Sequence, residues 1–214
     1  MPKISPQRAQ ERKRMLEDAA LELFRQRGFH GVGLREIADR ANLSLGNIYN
    51  YYQGKEPLFA AIVDRLYAEF TAATVPLARF LADCRFPEDL QELGQVMGQM
   101  VSEHRDYLLI VFIDTAEFGG KHVRPHYENL AVRFRAALGP RADALHQDGL
   151  LADWADPAVA FALAYMQFSS YFIVERLIGA RNHLGLDDGA AVDSIARLFT
   201  LGLAPRDPQG VNHD

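Results

Sequence analysis

The chain is poor in cysteine and empty of strand-like sequence. Its 214 residues include a single cysteine, Cys84. A lone thiol closes no intrachain disulfide, so a disulfide framework is excluded and a reducing cytoplasm is the simplest home. No run alternates apolar with polar residues in β-branched sequence, and no internal repeat occurs, which argues against sheets and solenoids. The basic start "MPKISPQRAQERKR" is followed by no apolar run, so it is not expected to be a secretory signal. GxSxG, HExxH, a phosphate-cradling Gly-rich loop and paired Glu-x-x-His motifs are all missing. Without a nucleophile–base or metal constellation, an all-α enzyme is not expected.

Long apolar runs are equally scarce. Only "PAVAFALAYMQFSSYFIV", between Asp156 and Glu175, is free of charge, and its eighteen residues are marginal for a bilayer. Gln167, Ser169 and Ser170 interrupt it, and no basic flank supports a span. No membrane partner is expected. A helix apolar on all sides is better buried on two, one face on its own bundle and the other on a second copy.

What the chain does contain is helical periodicity. Leu16, Ala20, Leu23 and Phe24 mark one face of a first helix, stopped by Gly28 and Gly31. Leu34, Ile37, Ala38 and Ala41 mark a short second one. Ser44 is placed as N-cap of a third, with Ile48 and Tyr52 facing inward. Pro57 opens a fourth helix running to about residue 70. Further helices follow, ending with long ones at about 157–179 and 188–203. The fold class is all-α: a three-helix head over residues 1–55, a larger bundle over 56–204, and a frayed tail at 205–214.

Charge divides along the same line. Residues 1–55 hold ten Lys/Arg against six Asp/Glu, a net of +4, whereas residues 56–214 carry −9. A basic head on an acidic body points to a polyanion at the head. Two short helices joined by a tight turn form a helix-turn-helix, whose second helix can enter the DNA major groove. With Leu34, Ile37, Ala38, Leu43, Ile48 and Tyr52 locking the helices together, Asn47, Tyr49, Asn50 and Tyr51 remain exposed. An asparagine can pair with adenine and an apolar side chain can pack on a thymine methyl. Leu45 with Asn47 or Asn50 therefore points to an A·T-containing half-site. Arg35, and Arg12, Lys13 and Arg14 on the first helix, are candidates for phosphate.

The stretch "LREIADRANLSLGNIYNYYQGKEPL", preceded by "AALELFRQRGFHGVGL", resembles the DNA-binding signature of the TetR family of transcriptional regulators over roughly residues 12–60. The resemblance implies that Ser44, Leu45, Gly46 and Asn47 open the recognition helix. It implies that Tyr49 binds phosphate, that Asn50 and Tyr51 contact base or phosphate, and that Lys55 pairs with a phosphate. Two positions depart from the pattern: Gly33 stands where a capping threonine is usual, and Leu45 where a lysine is.

A single head reads few base pairs, so a homodimer on a palindromic operator is expected, formed through the last two helices. The resemblance also implies a small apolar or amphipathic effector that releases the DNA. Tyr107, Phe112, Phe134, Tyr165, Phe168, Tyr171 and Phe172 are candidate pocket lining, with Asp114, Glu117, His122, His126 and Tyr127 as polar groups. His122 and His126 have the spacing of a metal pair, but Pro125 lies between them and no cysteine joins them, so neither metal nor cofactor is expected. The expected function is a ligand-responsive, sequence-specific repressor. The alternatives are an effector-independent DNA-binding regulator and an all-α interaction module; the last leaves the basic head unexplained.

Overall fold

The computed structural model describes residues 5–72, 77, 80, 85–128, 130–139, 144, 145, 147 and 151–205. Cys84 and all but the first residue of the expected tail 205–214 lie outside the described residues. Among the described residues every regular element is helical. In chain order these are α1 (Pro6–Arg27), α2 (Leu34–Arg40), α3 (Leu45–Tyr49), α4 (Lys55–Ala72), α5 (Leu90–Glu103), α6 (Arg105–Phe118), α7 (Arg124–Tyr127), α8 (Leu130–Leu138), α9 (Pro157–Phe172) and α10 (Asp188–Leu203); α9 continues as a π-helical turn, Ile173–Ile178.

Packing divides the chain into two compact units. One joins Met1–Thr71 with Asp106–Tyr127; the other joins Ala72–Arg105 with Glu128–Asp214. The division does not coincide with a cut after residue 55, because α4 and α6 share the core of the first three helices. Phe118 of α6 packs on Phe29, ring centroids 4.6 Å apart, and on Phe59 of α4 at 5.1 Å.

In the first unit α1 buries Leu16, Ala20, Leu21 and Phe24. Leu23, expected inward, is only half-buried. The buried stripe is rotated toward Leu21 because Glu17 also faces in. Its carboxylate sits 2.9 Å from Arg65 of α4 and accepts the Tyr52 hydroxyl at 2.5 Å. A buried carboxylate needs such partners. Burial, followed by that hydrogen bond to Glu17, pushes the Tyr52 hydroxyl far above the ordinary phenol range.

In the second unit α9 packs on α5, α8 and α10, and Phe161, Phe168 and Phe172 form its core. Two glycines one turn apart on α5 permit the close approach. A Cβ at Gly94 would lie 2.5 Å from a Val192 methyl, and one at Gly98 would lie 2.8 Å from the Phe172 ring. Arg176 of the π-helical turn crosses this junction, donating to the Gly98 carbonyl, to Ser102 at 2.7 Å and to Asp188 at 2.8 Å. Pro157–Ile178 is the described segment long and apolar enough to cross a membrane, and half of its apolar window is buried in the unit. On its outer side Val159, Leu163 and Met166 are exposed, as are Leu198 and Leu201 of α10.

Gly94→Ala forces Val192, a stiff β-branched side chain, to move. The overpacking cost of about 1–3 kcal/mol exceeds the helix-propensity gain of about 1 kcal/mol. A lower Tm is expected in a thermal melt followed by circular dichroism.

Candidate DNA-binding surface

The turn between α2 and α3 is built from main-chain bonds. Asn42 takes a left-handed conformation, φ 53°. The Leu43 amide donates to the Ala38 carbonyl at 2.9 Å and the Asn42 amide to Asp39 at 3.1 Å. This double closure is a Schellman motif, with asparagine in the place glycine usually takes. Leu43 then leads into Ser44, whose extended backbone starts α3. The Ser44 hydroxyl accepts from the Asn47 side-chain amide at 2.7 Å, not from a main-chain amide.

α3 is short, and its one fully buried side chain is Ile48; Tyr52 follows into the core. These two hold the helix down and leave its other faces outward. Tyr49 is 58 % exposed. Ser44, Gly46 and Asn50 are exposed, and Leu45, Asn47 and Tyr51 are half-buried. Arg35 of α2 is exposed and has no ion pair among the described residues. Gly33 supplies no capping side chain to α2; the Glu36 carboxylate reaches back instead and accepts the Gly33 amide at 2.8 Å. That bond, with a second from Arg27, holds the Glu36 carboxyl below its ordinary range.

The segment before α2 is clamped from both sides. The Lys55 ammonium donates to the carbonyls of Phe29 and Val32, at 2.7 and 2.6 Å. The Glu117 carboxylate of α6 accepts the amides of Phe29 and His30, both at 2.8 Å. Burial lowers the Lys55 ammonium below the usual lysine value, against the pull of Glu117 and Glu36. The ammonium is thus engaged on main-chain oxygens, whereas the sequence resemblance assigns it a phosphate.

The twelve candidate pocket residues are divided between the two units. Tyr107, Phe112, Asp114, Glu117, His122, His126 and Tyr127 belong to the first unit, and Phe134, Tyr165, Phe168, Tyr171 and Phe172 to the second. The two acids are occupied by structure. Asp114 is fully buried, 2.6 Å from His122 Nδ1, and accepts the amides of His122 and Val123; Glu117 forms the clamp. Phe112 is exposed, and Tyr107 and His126 lie in an aromatic stack with Phe70 and Tyr67. Phe168 is core, and Phe134 packs on Phe161 at 4.9 Å and on Tyr165 at 5.4 Å. Of the twelve, Phe172 lines an open groove, of about 580 Å³. No group of three His, Cys, Asp or Glu suited to a metal occurs among the described residues.

Residues 16–62 match the family model for bacterial regulatory proteins of the tetR family. The chain thus carries the DNA-binding domain of the TetR family of transcriptional regulators. It is a regulator and not an enzyme. Among curated TetR-type relatives, the repressor NicS of Pseudomonas putida is 28% identical over 171 residues, 78% of this chain and 76% of its own. The regulator AcrR of Shigella flexneri is 32% identical over 127 residues, 56% and 57% of the two chains. A TetR family regulator from Marinobacter aquaeolei shares the fold, with a TM-score of 0.61, 18% identity and coverage of 94% of this chain and 99% of that one. Thermus thermophilus FadR, a TetR family repressor solved in complex with lauroyl-CoA, aligns at 26% identity and a TM-score of 0.52, over 94% of this chain and 100% of that one.

Sequence reasoning missed the clamp. Glu117 carries no local signal for it, since its partners are 88 and 87 residues away. Glu117→Ala leaves the Phe29 and His30 amides to water and loosens the entry to α2. A stability loss of about 1–3 kcal/mol is expected in urea titration, with faster hydrogen exchange at those two amides and weaker DNA binding. Glu117→Gln, which keeps one acceptor, is expected to fall between.

Proposed function

We propose that the protein is a dimeric repressor that binds a palindromic operator through α3 and releases it on binding a small molecule. The carrying observation is the surface of α3: Tyr49 and Asn50 exposed, on a helix fixed by a Schellman turn and by Ile48. Positioning by phosphate contacts and reading by base contacts need such a rigid, outward polar face. We assign Tyr49, Tyr51 and Arg35 to phosphate, and Leu45, Gly46, Asn47 and Asn50, capped by Ser44, to the groove floor. Lys55 contributes by holding the turn before α2; a phosphate contact by it would compete with two carbonyls.

Dimerisation is supported by the exposed stripe of Val159, Leu163 and Met166 on α9 and Leu198 and Leu201 on α10. Apolar side chains at four- and three-residue spacing on adjacent helices make a self-complementary patch of the kind a two-fold bundle buries. A dimer places two α3 helices one DNA turn apart, about 34–36 Å. The effector follows from linkage: a ligand that favours the dimer unable to bind DNA must itself bind DNA-free protein more tightly. Lauroyl-CoA in the FadR structure supports a small-molecule site in a body of this fold. A cytoplasmic location fits a DNA-binding role.

Fluorescence anisotropy with duplexes from the DNA flanking the protein's own gene tests this reading. Tight binding at low salt that weakens steeply at high salt is expected. Arg35→Ala is expected to weaken all duplexes alike and to lower the salt slope by about one. Asn50→Ala should instead reduce the preference between duplexes. Leu163→Glu combined with Leu198→Glu is expected to shift the light-scattering mass from dimer to monomer. Absence of DNA binding by the unmodified protein at low salt would remove the reading.

A further inference from the structure

We infer that the groove walled by the end of α5, the π-helical turn and the loop before α10 binds a small anion carrying a carboxylate or a phosphate. The groove has a volume of about 510 Å³, with Ser102, Arg105, Glu175, Arg176, Arg181 and Asp188 in its walls. It rests on the reading of the protein as an effector-responsive regulator, and it names the effector's chemistry.

Three guanidinium groups and two carboxylates face this hollow, and both carboxylates are already occupied. Glu175 is buried and accepts the Asn182 amide at 2.8 Å, the His183 amide at 3.1 Å and lies 2.7 Å from His183 Nδ1. Asp188 accepts Arg176 at 2.8 Å and the Tyr171 hydroxyl at 3.1 Å. Arg176 is thereby neutralised. Arg105 donates to the Arg176 carbonyl, and neither it nor Arg181 has a carboxylate partner among the described residues. Two exposed guanidinium groups thus share a hollow with no free carboxylate to answer them.

The surroundings sharpen the selectivity. Residues 56–214 carry a net charge of −9. A positive hollow on an acidic body draws in a small anion and repels an extended polyanion. The groove is also preformed. Glu175 ties down the loop, in which Asn182 and Gly179 hold left-handed conformations, φ 54° and 84°. A ligand therefore need not supply much of the cost of ordering it. Guanidinium forks match carboxylate and phosphate oxygens two at a time.

The neighbouring groove of about 580 Å³ shares Ser102, Arg176 and Asp188, and continues along Gln91, Gln95 and Gln99. Phe172 lines it as well. Gln91 and Gln99 bond to Asp193 and Glu103. Val192 lines it together with Phe172, so this wall offers a ligand both apolar and hydrogen-bonding contacts. The effector class is a small anion, whereas the sequence pointed to an apolar or amphipathic molecule and named no charge.

Thermal unfolding of the full chain tests the groove, with potassium phosphate or succinate at about 10 mM against potassium chloride of equal ionic strength. Against a Kd of about 1 mM this gives a rise of a few degrees. Such anions also stabilise proteins by exclusion from their surfaces, so the readout is the difference between variants. The wild type and an Arg197→Gln control are expected to rise together in at least one anion, and the Arg105→Gln/Arg181→Gln double variant is expected to lose that rise. Phosphate and succinate arms separate the two headgroups. Because Arg105 bonds the π-helical turn, Arg181→Gln alone serves if the double variant fails to fold, with at least half of the rise lost. An equal rise in wild type and Arg variants, or none in wild type with either anion, overturns the groove. Anisotropy without added anion reports separately: variants that bind DNA as wild type does keep the two readings distinguishable.

Discussion

The geometry of the DNA-binding unit depends on a short irregular segment held by two opposite charges. Residues 28–33 turn the chain from α1 into α2 without regular hydrogen bonding, and main-chain groups left unpaired there would cost about 1–3 kcal/mol each when buried. Lys55 satisfies carbonyls from one side and Glu117 satisfies amides from the other. The three aromatic rings of Phe29, Phe59 and Phe118 close over the same segment. With that entry fixed, the Schellman turn and the two inward anchors of α3 follow as rigid extensions, and the outward tyrosines and asparagines inherit a defined direction.

The second unit solves a different problem, the close approach of three helices. Gly94 and Gly98 remove side chains where Val192, Phe168 and Phe172 must sit. Arg176 lies over the Phe172 ring of α9 at 4.4 Å and donates to Gly98 and Ser102 of α5 and to Asp188 of α10. The same arrangement consumes Asp188 and leaves the neighbouring arginines without an opposing charge. A polar hollow is thus a by-product of how the helices are fastened.

Local features were readable from the sequence, and distant ones were not. Ser44 as the start of α3, the burial of Ile48 and Tyr52, and the ends of α10 all follow from periodicity and capping within a few residues. Leu23 was assigned to the core because apolar spacing alone cannot register that Glu17 has a reason to face inward. Phe168, Phe134 and Tyr165 were read as pocket lining; helical spacing shows which face they share but not that other aromatic side chains fill the space opposite. Asp114 and Glu117 have the look of ligand groups in the sequence because their amide partners lie in loops that local patterns do not place. The glycines of α5 passed as ordinary helix residues, since their use depends on partners more than seventy positions away.

The discontinuous first unit has a consequence for modularity. A recognition cassette lifted out of this chain by cutting after α4 would leave its own fastening behind, because the carboxylate that secures its first bend arrives later in translation. The reading head is in this sense a two-piece instrument. Swapping it between relatives would require the matching stretch around Asp106–Tyr127 to travel along, and a ribosome-bound fragment ending before that stretch would lack one jaw of its vice.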